Sequence, residues 1–154
     1  MKEVFQFIRD TRRAFIELLD TLTLEQLNEI PAGFNNNIIW NFGHIVVSTQ
    51  GLCYARSGVR PDTSQIQYLS AYAKGTKPTY FVEQAEVDAL KKLAVDTINA
   101  IHLDYETDIF AGFQPFETST YKSTLHKIEE VIMTTAGHDN LHFGYAIAQK
   151  RLIK

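Results

Sequence analysis

Glu129-Glu130-Val131-Ile132-Met133-Thr134-Thr135-Ala136-Gly137-His138-Asp139-Asn140-Leu141-His142-Phe143-Gly144-Tyr145 reads as one helix carrying two histidines four residues apart. On a helix that spacing leaves the two side chains about 40° apart around the axis and roughly 6 Å along it. Both imidazoles therefore project from one face and can reach a single ion. At about 100° per residue, Val131, Thr134, Thr135, Leu141 and Tyr145 lie near the same face. That stripe is largely apolar and should point into a core. A polar group left unsatisfied there costs about 1–3 kcal/mol. A divalent metal would satisfy both rings.

Outward from this helix the chain repeats the helical pattern three times. Residues 2 to about 20 carry Val4, Phe7, Ile8, Thr11, Phe15, Leu18 and Leu22 on one stripe. Lys2, Glu3, Gln6, Arg9, Asp10, Arg13, Glu17 and Asp20 lie opposite, the pattern of an amphipathic helix. Thr23-Leu24-Glu25-Gln26 matches a capping box and opens a short helical turn before Pro31. Asn35-Asn36-Asn37 offers N-caps for a second long helix running to about Ser57, with Gly58 just beyond its end. Ile38 to Val47 is apolar nearly all round, as in the most buried member of a bundle. His44 is conspicuous in that setting.

The helical period fails between Val59 and Pro78, a connection long enough to cross over one end of a bundle. Tyr68, Leu69 and Tyr72 are placed to cover that end. Val87, Leu90, Leu93, Ala94, Ile98 and Ile101 mark a third helix from about Val82 to Leu103, with Glu83, Glu86, Asp88, Lys91, Lys92 and Asp96 facing solvent. A second connection is rich in aromatics (Tyr105, Phe110, Phe113, Phe116, Tyr121) and should pack onto the helices. The last helix is expected to start near Ser123 or Thr124. No strand alternation is visible. Four long helices predict an all-α fold, a four-helix bundle over residues 1–154 with a long crossover between helices 2 and 3.

A chain of 154 residues, 45% apolar and 21% charged, suits one domain with a substantial core. Its net charge of −3, with both signs scattered, leaves no basic footprint for nucleic acid or a membrane surface. No run approaches the roughly 18 apolar residues of a membrane span. The charged start Met1-Lys2-Glu3 lacks the apolar core of a signal peptide. Cys53 is the only cysteine, so no disulfide framework forms within the chain. The expected location is the cytoplasm.

His44 joins His138 and His142 as the candidate ligand set. Three imidazoles with open positions would suit zinc, nickel or iron(II) and leave room for water or substrate. The plain alternative is that each is a core histidine bonded to a backbone or hydroxyl partner. The paired spacing on a buried stripe, with a third ring on the most apolar helix, favours ligation. His126 falls about 120–160° around the last helix from the pair. His102 falls at the frayed end of the third helix, and both are expected outside the site. His138-Asp139-Asn140-Leu141-His142 invites comparison with the H-E-x-x-H of zinc proteases, but its acid is a methylene shorter and no sheet is expected. Asp139 either orients a ligand or solvent from behind or faces water. Cys53 has no adjacent base and reads as a small buried hydrophobe rather than a nucleophile.

Trp40-Asn41-Phe42-Gly43-His44-Ile45 and His138-Asp139-Asn140-Leu141-His142-Phe143-Gly144, in that order and separation, resemble the DinB-like superfamily, which includes the bacillithiol and mycothiol S-transferase-type enzymes. The likeness in layout extends over nearly the whole chain, including the Gly75-Thr76-Lys77-Pro78 turn before the third helix. The resemblance implies an up-down-down-up bundle, often a homodimer. It implies a divalent metal on His44, His138 and His142, commonly zinc or nickel, with iron or manganese as alternatives. It also implies a low-molecular-weight thiol as co-substrate, activated by the metal for attack on a small electrophile in detoxification or stress response. Asn41, Ser48, Thr135 and Tyr145, each about one helical turn from a proposed ligand, are the candidate pocket-lining groups beside Asp139. Small molecules are the expected partners, with neither nucleic acid nor membrane. A metal-binding or interaction module without turnover is the second reading, and metal-dependent hydrolysis of a small amide or ester the third.

Overall fold

The amphipathic start folds as α1 (Lys2–Asp20) in the computed structural model, which describes residues 1–154. After it come α2 (Leu24–Asn28), α3 (Ile38–Gln50), α4 (Leu69–Tyr72), α5 (Gln84–Glu106) and α6 (Ile128–Lys150). The four long helices pack side against side, α1 on α5 and α6, and α3 on the same two. The molecule is mostly helical, and no helix is long and apolar enough to cross a membrane.

α1 buries Phe5, Ile8, Thr11, Arg12, Phe15 and Leu19. This face is turned from the expected stripe: Phe7 is 54% exposed, while Val4, Leu18 and Leu22 are only partly buried. Two neighbours, α5 and α6, share the buried side of α1, and the seam between them selects a different line of residues. The capping box forms as expected. Thr23 Oγ1 accepts from the Gln26 amide (3.2 Å) while the Thr23 amide donates to Gln26 Oε1 (3.0 Å).

Asn37 is the residue of the asparagine run that caps α3, its Oδ1 accepting from the Trp40 amide at 2.9 Å. α3 is buried nearly all round. It continues as a π-helical turn, Gly51–Arg56, before Gly58 turns the chain with φ +73°. The long crossover is not devoid of structure. It carries α4, and Tyr72 lies almost fully buried on α3. A Cβ on Gly43 would stand 2.5 Å from the Tyr72 ring, so only glycine permits this close approach.

Two expectations fail in the second connection. Phe116–Glu117 (β1) and Thr124–Leu125 (β2) pair antiparallel, a small ladder with no signature in so short a sequence. α6 consequently starts at Ile128 rather than near Ser123. Within this connection Phe110 and Phe116 are buried, whereas Tyr121 is 46% exposed. The core falls into two clusters. One is built around α3 with Phe15, Leu19, Leu90 and Ala146. The other gathers Phe5, Ile8, Ile98, Ile101 and Ile132 with the aromatics of the connection.

Candidate metal centre

His44 from α3 meets His138 and His142 from α6. One nitrogen from each ring lies within 4.8 Å of the others, and ring centroids stand 4.6–5.1 Å apart. None of the three is more than 9% exposed. His126 and His102 are outside this cluster. His126 precedes α6, so the helical angle expected to set it apart does not apply. His102 sits inside α5 instead of at a frayed end, partly buried and stacked on Phe5 at 4.2 Å.

Two of the rings are held from behind. His44 Nδ1–H donates to the Tyr72 carbonyl at 2.7 Å, and His142 Nδ1–H donates to Asn41 Oδ1 at 2.7 Å. Each bond fixes the tautomer whose Nε2 carries the lone pair, as metal-binding histidines require, and at His44 the Ser48 hydroxyl stands within hydrogen-bond reach of it. Asn41 is oriented in turn, its Nδ2 donating to Gln149 Oε1 (3.0 Å) and to the Asn37 carbonyl (2.9 Å). Trp40 lies parallel to His44 at 4.8 Å. Burial lowers the pKa of all three imidazoles, that of His138 to about 4 and that of His142 to about 3, with neighbouring rings adding to the effect at these two; at His44 the bond to the Tyr72 carbonyl partly opposes it. The rings are therefore uncharged at neutral pH. A divalent ion needs neutral imidazoles, so this donor set fits one.

The other expected site residues divide. Asn41 lies behind His142. The Ser48 hydroxyl stands 3.2 Å from His44 Nε2. Tyr145 is 48% exposed, its ring 6.1 Å from His142. It and Leu141 (40% exposed) flank the mouth of the site instead of pointing into the core. Thr135 is buried with its hydroxyl unpartnered and lines neither of the cavities at the rings; Thr134 lines one instead. Asp139 neither faces water nor touches a ring. It is fully buried, with Oδ2 accepting from Arg12 Nε at 2.8 Å. Cys53 is buried, its thiol pushed up to about 12 chiefly by desolvation, which suits a core residue.

The rings open onto two cavities, His44 and His138 onto both. One of about 260 Å³ passes Ser48 and Leu52. A larger one of about 600 Å³ passes Asn36, Trp40 and Tyr145, and His142 lines only this one. Tyr72 and Gln149 are supporting residues that sequence reasoning missed. Tyr72 acts through its backbone carbonyl, which no side-chain pattern reveals.

The family model described as the DinB superfamily matches residues 8–146 of the chain. Among curated proteins none matches it.

Proposed function

The chain belongs to the DinB superfamily, and from that premise we propose that His44, His138 and His142 hold a divalent metal with which the protein transfers a low-molecular-weight thiol onto a small electrophile. The observation carrying this reading is the orientation of the tethered rings. Tyr72 and Asn41 take the Nδ1 protons, leaving the Nε2 lone pairs for an ion. An all-imidazole set suits zinc, nickel or iron better than manganese, which prefers oxygen ligands. Zinc or nickel bound there supplies a Lewis acid that keeps a thiol ionised at neutral pH.

The chain's own residues supply the rest. Trp40 covers one face of His44 and limits its movement. Ser48 offers a hydroxyl donor beside the rings to an incoming sulfur. No carboxylate lines either cavity, and Asp139 is spent on Arg12. A hydrolytic reaction would therefore lack the carboxylate base that the H-E-x-x-H proteases use, which ranks thiol transfer above hydrolysis of that kind. The mutual packing of α1, α3, α5 and α6 supports the bundle reading, with the crossover of residues 59–78 allowing an up-down-down-up order. A homodimer in the cytoplasm belongs to the same proposal, and light scattering reads the dimer.

The test is elemental analysis of protein purified without chelator or affinity tag, followed by conjugation of thiols to monochlorobimane or chlorodinitrobenzene. The expected result is close to one metal per wild-type chain, lost in His142→Ala, with conjugation following the metal. Substoichiometric metal in both proteins would remove the basis of the proposal. Full metal occupancy with no conjugation across several thiols would assign a binding module without turnover.

A further inference from the structure

His44, His138, Lys74 and Thr120 line both cavities, so two of the three rings stand where the two spaces meet, with His142 facing the larger one. Neither lining contains an aspartate or glutamate, while Lys74 and Arg56 both border the smaller cavity. This is a cationic spot on a chain whose net charge is −3. The rings themselves contribute no negative charge, and Asp139, adjacent to His138 in sequence, is neutralised by Arg12 in the core. A concave site with one sign of charge concentrates ligands of the other.

The two cations remain available. Lys74 Nζ donates to Ser119 Oγ at 2.5 Å, and its charge disfavours protonation of His44. Arg56 spends one Nη2–H on the Glu117 carbonyl (3.0 Å) and lays its guanidinium over Phe116 at 5.2 Å. The remaining guanidinium donors suit a planar anion. Val47, Leu52 and Leu69 add an apolar wall to the same lining. The volume, about 260 Å³, lies just below the roughly 300–1,000 Å³ of drug-sized ligand sites.

We infer that the smaller cavity takes a small organic anion, its acidic group held by Lys74 and Arg56 and its apolar part resting on Val47, Leu52 and Leu69. The acid can arrive on the thiol or on a molecule without sulfur. Only the first case rests on the metal reading above.

Calorimetric titration separates the two. Mercaptosuccinate, an acidic thiol, and 1-thioglycerol, a neutral one, are titrated into zinc-loaded protein; succinate is titrated into metal-free protein. Wild type is compared with Lys74→Met/Arg56→Met, whose altered residues are both exposed, with thermal melting confirming the fold. The acidic thiol should bind wild type roughly tenfold more tightly than the neutral one, about the effect of one charge-assisted contact. That preference should vanish in the double variant, and so should succinate binding. Equal binding of the two thiols by wild type, together with no succinate binding, would overturn the inference, as would a preference that survives in the double variant. If zinc fails to bind at all, the succinate arm still reads the cation pair, so failure of the metal reading is not mistaken for failure of this one.

Discussion

Asn41 does for His142 what the Tyr72 carbonyl does for His44, taking the Nδ1 proton at 2.7 Å and turning Nε2 toward the common point. Removing such a partner typically weakens metal affinity ten- to a hundredfold. Asn41→Leu should therefore lose zinc to a competing chelator at roughly ten- to hundredfold lower chelator concentration than wild type, while its helical circular dichroism is retained. Unchanged affinity would show that His142 needs no orientation from Asn41. The pKa shifts of the rings give a second expectation. Well above a pH of about 6.5 the imidazoles are neutral in both native and unfolded chains and add no pH dependence. As pH falls from about 6.5 towards the native values of about 4 for His138 and about 3 for His142, the unfolded chain binds protons that the native chain refuses. Metal-free protein should thus lose stability across that interval. Thermal melts at pH 7 and pH 4.5 check this against His138→Gln/His142→Gln, which should lose less over the same interval.

α4 connects the crossover to the site, because the carbonyl that holds His44 belongs to Tyr72 and the Tyr72 ring lies on Gly43. Gly43→Ala places a Cβ 2.5 Å from that ring and must push α4 away. The expected cost is about 1–3 kcal/mol, together with weaker zinc binding as the carbonyl leaves His44. Gly137→Ala is the control, since a Cβ there meets nothing within 4 Å. It should stabilise α6 by about 0.5–1 kcal/mol, and denaturant titration of both variants reads the contrast. The long helices were legible from sequence because their apolar residues recur with the helical period. The Thr23 box and the Asn37 cap were legible because local hydrogen bonds decide them. The inward face of α1 was legible only along its middle, at Ile8, Thr11 and Phe15; its edges were not, since Phe5 and Phe7 are both apolar and only the neighbouring helices distinguish them. The start of α6 was missed for a similar reason: Ser123 and Thr124 look like caps, but the pairing of β1 with β2 commits that segment to extended backbone. At the site, the i, i+4 spacing located the two rings on α6. The inward turn of Asp139 could not be read without knowing that Arg12 waits across the core.

Arg12 is a charged residue with 1% exposure, and it lies where the two core clusters meet. Along α1, Phe5 and Ile8 belong to one cluster, Phe15 and Leu19 to the other, and Arg12 falls between. From there it bonds to every other long helix: Nε to Asp139 Oδ2 of α6 (2.8 Å), Nη1 to the Ala94 carbonyl of α5 (2.7 Å) and Nη2 to Thr49 Oγ1 of α3 (2.7 Å). A polar layer thus crosses the core at the level where His138 and His142 leave α6. Such a layer is a weak source of net stability, because desolvating the two charges offsets most of their attraction. Breaking half of it is a different matter. Arg12→Met would strand the Asp139 carboxylate, whose Oδ1 already lacks a partner, at an expected cost of about 3–5 kcal/mol. Arg12→Met/Asp139→Leu removes both charges and should recover most of that loss in urea denaturation. Zinc stoichiometry discriminates further. If the layer sets the rotation of α6, the double variant will be stable yet hold zinc less tightly than wild type. If the apolar packing on either side suffices, stability and zinc affinity will recover together. An Arg12→Met single variant as stable as wild type would show that the ion pair does not hold the four helices in register.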